Sequence, residues 1–223
     1  MTTRTLGNGF DTTSFRHSSL AKKALVALTG LVLSGWMLLH AAGVFGVFAG
    51  PEVMNRYAAL LRSTGLLWVM RVGLALALLA HTWLALTLTH EARRARSQSY
   101  RKQSFAAGAR ASRWMRSSGV VLAAWLVYHV AQMYGPAHHD YVPGDVHHTL
   151  VTGLASPLVA VSYVIATLLL GVHLHHGLVS TASSLGASAR LRQKIEPLAR
   201  GFVGLVALLL VAPPLAALGG YWS

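Results

Sequence analysis

The sequence predicts an all-α integral membrane bundle of five transmembrane helices, with the N-terminus cytoplasmic and the C-terminus outside. Three observations predict it. Of the 223 residues, 54% are hydrophobic and 11% charged, far from the balance of a soluble domain. The apolar residues gather in five blocks of roughly the 20 residues that cross a bilayer as helix, and no alternating strand pattern suggests a barrel. Lysine and arginine fall almost wholly on one side of the blocks, which sets the orientation.

The expected spans are 24–48, 65–89, 117–135, 156–178 and 199–219, forming one domain over 21–220 behind a polar cytoplasmic segment, 1–20. "AKKAL" at 21–25 opens span one with a lysine anchor. That first block is too long, too rich in His and Trp, and too poorly followed by a cleavage site for a signal peptide. "AGPEVMNRYAALLRS" (49–63) connects spans one and two. Pro51 suits a first helical turn, and the apolar residues at helical spacing predict an interfacial helix. The loop 90–116 is basic. The loop 136–155, with Pro136, Pro143, Gly144 and Gly153, reads as irregular. Residues 179–198 read as a cytoplasmic return. Span five has no ionisable group, and Pro213 and Pro214 are expected to kink or end it. No internal repeat is evident.

Five spans put the N-terminus, 90–116 and 179–198 on one side, with 16 of the 19 basic residues; the other side holds Arg56, Arg62 and Arg71. The +13 formal charge is therefore orientation bias plus a cytoplasmic docking face, and no nucleic-acid partner is expected. There is no cysteine. Disulfides, iron–sulfur ligation and thioether-linked haem are thereby excluded from this chain, so a redox cofactor would be held by His or Met.

Twelve histidines are present. His17, His90, His138, His139, His147 and His148 read as solvated tail, helix-end or loop residues. The others are His40, His81, His129 and the trio His173, His175 and His176 in "GVHLHHGL". Spans one to four thus contribute one interior histidine each, counting one of the trio, and intramembrane ionisable residues point to function. Depth sorts them. His40 and His129 lie toward the outside; His81 and His173 lie toward the cytoplasm. Two histidines at one level on separate helices can fill both axial positions of one haem iron. The alternatives are hydrogen-bonded core histidines, or a zinc or proton-relay site. Zinc favours four ligands at one point, and none of the six acids lies at a span centre.

Other residues fit haem without requiring it. Gly30, Gly35, Gly43, Gly73, Gly119 and Gly171 would admit a macrocycle or serve ordinary helix packing. Trp36, Trp83, Trp125 and Tyr128 could flank porphyrin or anchor the interface. Propionates need cationic or hydrogen-bonding partners: Lys23, Arg113 and Arg116 inside, Arg71 outside. His176, one turn beyond His173, is a further partner for a propionate or a cytoplasmic subunit, and His175 reads as an interfacial residue.

From residue 20 to 218 the chain resembles the cytochrome b membrane-anchor subunit of succinate dehydrogenase and fumarate reductase, of the five-helix, two-haem type. The resemblance rests on "AKKALVALTGLVLSGWMLLH", "GPEVMNRYAALLRS", "LWVMRVGLALALLAH", "SQSYRKQS", "ASRWMRSSGVVLAAWLVYH" and "ASPLVAVSYVIATLLLGVHLHHGLVSTASSLG". It implies two b haems, ligated by His40 with His129 and by His81 with His173, the last lying four residues before Gly177. Arg71, Arg113, Arg116 and His176 are expected around them. It also implies a flavoprotein subunit carrying FAD and an iron–sulfur subunit, both on the cytoplasmic side. Electrons would pass between the clusters, the haems and a membrane quinone, menaquinone in many two-haem members. Glu52, Arg56 and Tyr57, near the outer level after span one, are the candidate quinone contacts, with ordinary interfacial residues as the alternative reading. The expected setting is the bacterial cytoplasmic membrane, with a higher oligomer of the complex possible. An asparagine common in the family after the first histidine is Val44 here. A glutamate near the fourth ligand is replaced by an acid-free helix with Gly171, so a glutamate-based proton route does not carry over. Two readings stay open beside this one: a two-haem anchor of another dehydrogenase, of hydrogenase or formate dehydrogenase type, and a haem-free histidine-bearing transporter.

Overall fold

The computed structural model describes residues 19–94 and 107–222, with side chains of the second stretch from Trp114 onward. Most of the expected N-terminal segment, the basic run 95–106 and the side chain of Arg113 lie outside the described residues. Seven α-helices account for nearly all of the described chain: α1 (Ser19–Phe45), α2 (Pro51–Ser63), α3 (Leu66–Arg94), α4 (Ala107–Met133), α5 (Val146–Leu154), α6 (Pro157–Ser184) and α7 (Ala189–Leu218). A 3₁₀ turn, Gly46–Ala49, extends α1. There is no strand among the described residues.

Four segments are long and apolar enough to cross a membrane: Ser19–Ala49, Leu66–Arg94, Pro157–Ser184 and Ala189–Leu218. Their large apolar side chains, such as Leu76, Leu79, Leu158, Leu168 and Leu208, stay exposed on the outer surface of the bundle. That is the arrangement an apolar solvent favours. Helix α4 has 27 residues, enough in length, but it is not one of the four. Arg116, Ser117, Ser118, His129 and Gln132 lower its mean hydropathy.

The structure corrects the expected connections. Residues 136–155 are not irregular throughout, because α5 forms within them. Pro143 and Gly144 stop the chain, Asp145 then caps the new helix by accepting from the His148 N–H, and Thr149, Leu150, Gly153 and Leu154 make its buried face. The return 179–198 shrinks to four residues, Leu185–Ser188, since α6 continues to Ser184 and Ser188 caps α7. Pro213 and Pro214 do not end α7, which continues to Leu218 with both prolines buried. Each proline forgoes one helical hydrogen bond, to Leu209 and to Leu210. The short α2 forms as expected, with Pro51 in its first turn behind Gly50 at φ 91°.

Helix α1 packs against α3, α6 and α7; α4 packs against α6; α6 and α7 form the closest pair. One buried cluster joins Val47, Leu150, Leu154 and Ala160 at the α5 end, with Tyr163 and Trp222 against it. A second joins Ala41, Leu174 and Val206, and ties α7 to the bundle. At the other end Lys22 of α1 pairs with Glu91 of α3.

Candidate functional site: two histidine pairs

Four histidines meet in two pairs across the bundle. The rings of His40 on α1 and His129 on α4 have centroids 6.0 Å apart and planes at 85°. Those of His81 on α3 and His173 on α6 are 6.5 Å apart at 72°. The helices α1 and α4, like α3 and α6, face each other through these side chains rather than by close backbone packing.

The separations suit a metal shared between each pair. A metal–imidazole nitrogen bond is about 2.0 Å, and a five-membered ring of ~1.33 Å bonds has a radius of roughly 1.1 Å. Two imidazoles on opposite sides of one ion therefore place their centroids about 6 Å apart. Among the described residues no group of three or more His or acidic side chains converges on a point. Two ligands per site leaves the equatorial positions to a group that brings its own donors, as a porphyrin does.

Hydrogen bonding prepares three of the rings. His81 Nδ1 lies 3.2 Å from Val26 O and 3.2 Å from Thr29 Oγ1. The Thr29 hydroxyl already donates to Leu25 O at 2.8 Å, so Nδ1 carries the proton. His173 Nδ1 stands 3.5 Å from Ser118 Oγ, whose hydroxyl donates to Met115 O. Tyr163 donates to Gln132 Oε1 at 2.6 Å, so its oxygen accepts from His129 Nδ1 at 2.9 Å. In each case Nδ1–H is used and the Nε2 lone pair stays free, the state a metal-ligating histidine needs. His40 has no hydrogen bond among the described residues, and stacks on Trp36 at 6.1 Å. His129 stacks on Trp125 at 5.2 Å.

The other expected site residues scatter. Arg71 donates to Tyr134 Oη at 2.8 Å, and its guanidinium lies 5.2 Å from the Trp68 ring and 5.0 Å from the Tyr134 ring. That clamps α3 to the end of α4, and no contact brings Arg71 beside His40 or His129. Arg116 is partly buried on α4, one residue past Met115. Lys23 is exposed. His176 Nδ1 bonds Val172 O within its own helix at 3.0 Å. His175 differs from a plain interfacial residue, since its Nε2 is buried without a hydrogen-bond partner. Glu52, Arg56 and Tyr57, with Val53 and Leu60, line an open groove of about 350 Å³ on α2. Tyr57 reaches α1 one turn beyond His40: a Cβ on Gly43 would meet its Cε1 at 3.5 Å.

Sequence reasoning did not find Gln132, Tyr163, Thr29 or Ser118. The signal available was a buried-type polar residue inside an apolar block, which Gln132 and Thr29 both are.

His138, expected to be solvated, is buried. It receives the Asp140 N–H on Nδ1 at 3.0 Å and gives Nε2–H to Thr149 O at 2.8 Å, which fixes the start of α5. Asp145 closes the same end. It accepts from His148 N at 2.8 Å and from Asn55 Nδ2 on α2 at 2.9 Å, and these bonds hold its carboxyl below the usual carboxylate range. No family model, curated protein or solved structure matches the chain.

Proposed function

We propose that the protein is the cytochrome b membrane anchor of a succinate:quinone oxidoreductase, crossing the bacterial cytoplasmic membrane five times with its N-terminus inside. One observation carries the haem part of the reading: four helices bring four histidines together as two pairs, at the spacing of two imidazoles on one ion. The sequence resemblance carries the rest.

Two b haems are the groups these pairs would hold, with His40 and His129 on the outer iron and His81 and His173 on the inner one. Held by two imidazoles, such a group would supply one-electron exchange rather than oxygen chemistry. The chain's own work is to orient the imidazoles, keep their Nε2 atoms unprotonated and exclude water between apolar helices. Ten residues of α1, about 15 Å of helix, separate Gly30, where His81 lands, from His40. The two sites thus stand at different depths.

On this reading α4 is the fifth span, polar for a transmembrane helix because its His129, Gln132 and Ser118 face partners inside the bundle. The basic cytoplasmic ends receive the flavoprotein and iron–sulfur subunits, and Arg113, Arg116 and His176 lie at that side for propionates or for the docked subunit. Arg71 holds the outer end of α4 through Tyr134. The groove at Glu52, Arg56 and Tyr57 is the place for a quinone, menaquinone on the family pattern, because Tyr57 packs one turn from His40.

The experiment is purification with its partners followed by an absorption spectrum and metal analysis. Two b-type haems per copy and a co-purifying FAD protein that oxidises succinate are expected. A reduced sample with no b-type band would defeat the haem reading. A nickel or molybdenum partner would move the protein to another dehydrogenase.

A further inference from the structure

The two inner histidines land on matching ground. His81 meets α1 at Val26, Thr29 and Gly30; His173 meets α4 at Ser118 and Gly119. Both sets have the same spacing: an apolar residue whose carbonyl takes the hydroxyl proton, that hydroxyl three residues on, and a glycine next to it. A Cβ on Gly30 would stand 3.2 Å from His81 Cε1, and one on Gly119 would stand 3.1 Å from His173 Cε1. Each ring lies against its glycine, with Nδ1 turned to the hydroxyl beside it.

The match continues along both helices. "GLVLSGWMLLH" runs from Gly30 to His40 and "GVVLAAWLVYH" from Gly119 to His129, sharing G-x-V-L-x-x-W-x-x-x-H. In both, the tryptophan stacks on the histidine one turn later, at 6.1 and 5.2 Å. In both halves a short helix follows, α2 or α5, and then the long helix bearing the inner histidine. Asn55 of α2 and Asp145 before α5 bond each other where the two short helices meet.

We propose that Thr29–Gly30 and Ser118–Gly119 are equivalent positioning seats, one in each copy of a duplicated helix–short helix–helix unit, which fix the inner histidines for a shared metal-bound group. The glycine sets how near the ring approaches the neighbouring helix. The hydroxyl, with its own proton on a backbone carbonyl, accepts from Nδ1–H and keeps Nε2 unprotonated. These are positioning residues and touch no reacting atom. The inference rests on the two-haem reading above.

The test uses the intact complex with its bound haem. Gly30→Ala, Gly119→Ala and the milder Thr29→Val and Ser118→Ala are compared by haem stoichiometry, by potentiometric titration of both haems and by their low-spin electron paramagnetic resonance signals. Each alanine-for-glycine variant is expected to weaken retention of the inner haem about tenfold or more and to move its signal, with comparable size in the two halves. The hydroxyl variants are expected to shift the inner potential with haem retained. Gly204→Ala on α7, where a Cβ meets nothing within 4 Å, is the control expected to change neither haem. Seat variants that leave the inner signal and potential unchanged, or that disturb both haems alike, would overturn the seats while leaving the two-haem reading standing. A wild-type complex without haem would remove both.

Discussion

His81 and His173 lean on a neighbouring helix backbone, with small residues beneath them. His40 and His129 lean on indole rings, and His129 is further tied to the phenol of Tyr163 and the amide of Gln132. The inner pair is therefore held by features that helix packing supplies: a hydroxyl bonded to its own helix and a glycine at both rings, and a backbone carbonyl at His81. The outer pair is held by side chains, which sequence change can alter one at a time. An axial ligand tuned through a side-chain network has an adjustable potential, whereas one held by a backbone carbonyl has a fixed geometry. The end nearer the proposed quinone groove is the adjustable one.

Four experiments break or sharpen that contrast. The largest effect is expected from the ligands themselves. His40→Ala and His129→Ala should each remove the outer haem, and His81→Ala and His173→Ala the inner one, taking the haem count from two to one in the pyridine haemochrome assay. If His175→Ala or His176→Ala abolishes a haem while His173→Ala leaves both, the pairing is wrong. Next is Tyr163→Phe, which leaves His129 Nδ1–H and Gln132 Oε1 without their shared partner, a cost of about 1–3 kcal/mol. The outer haem potential should move and the inner should not; equal movement of both would erase the distinction between the pairs.

Gly153→Ala comes third. Its Cβ would collide with Gln132 Nε2 and stand 2.9 Å from His138 Nε2, in the packed region behind Tyr163. Overpacking of about 1–3 kcal/mol should lower the melting temperature and disturb the outer site before the inner. Smallest is Asp145→Ala, the loss of an N-cap, about 1 kcal/mol. The Asp145 carboxyl titrates below its ordinary range because His148 N–H and Asn55 hold the ionised form. Its contribution is therefore fully present above the unfolded value of about 3.9, and is lost as pH falls through the lower folded value. The stability difference between wild type and Asp145→Ala should be flat from neutral pH to about 5, and should shrink in more acidic solution.

Much of this was legible in the chain. Apolar block length located the five long helices, four of which are apolar enough to cross a membrane. Counting residues from the block ends put at one level the histidines that meet in each pair, since rise per residue is constant. Azimuth was less accessible. Which side of α1 receives His81 depends on how α3 packs, so nothing in the sequence separates Thr29 and Ser118 from the other hydroxyls of the apolar blocks. Tyr163 and Gln132 lie on different helices 31 positions apart, and their bond appears once α4 and α6 are side by side. Helix α5 was hidden by Pro143 and Gly144, which signalled a break but not the Asp145 cap that restarts the chain. The doubled pattern at Gly30–His40 and Gly119–His129 was present in the letters. It is thin, five shared residues amid divergent ones, and it gained meaning when both glycines were found under a histidine.

The four-residue turn Leu185–Ser188 reaches beyond local geometry. It holds α6 and α7 as a tight antiparallel hairpin. Helix α7 carries three prolines and no histidine, and three of its carbonyls lack helical donors. Joined to α6 by so short a loop, it closes on Ala41 and Leu174 at little entropic cost. The helix without a histidine thus braces the one that bears His173.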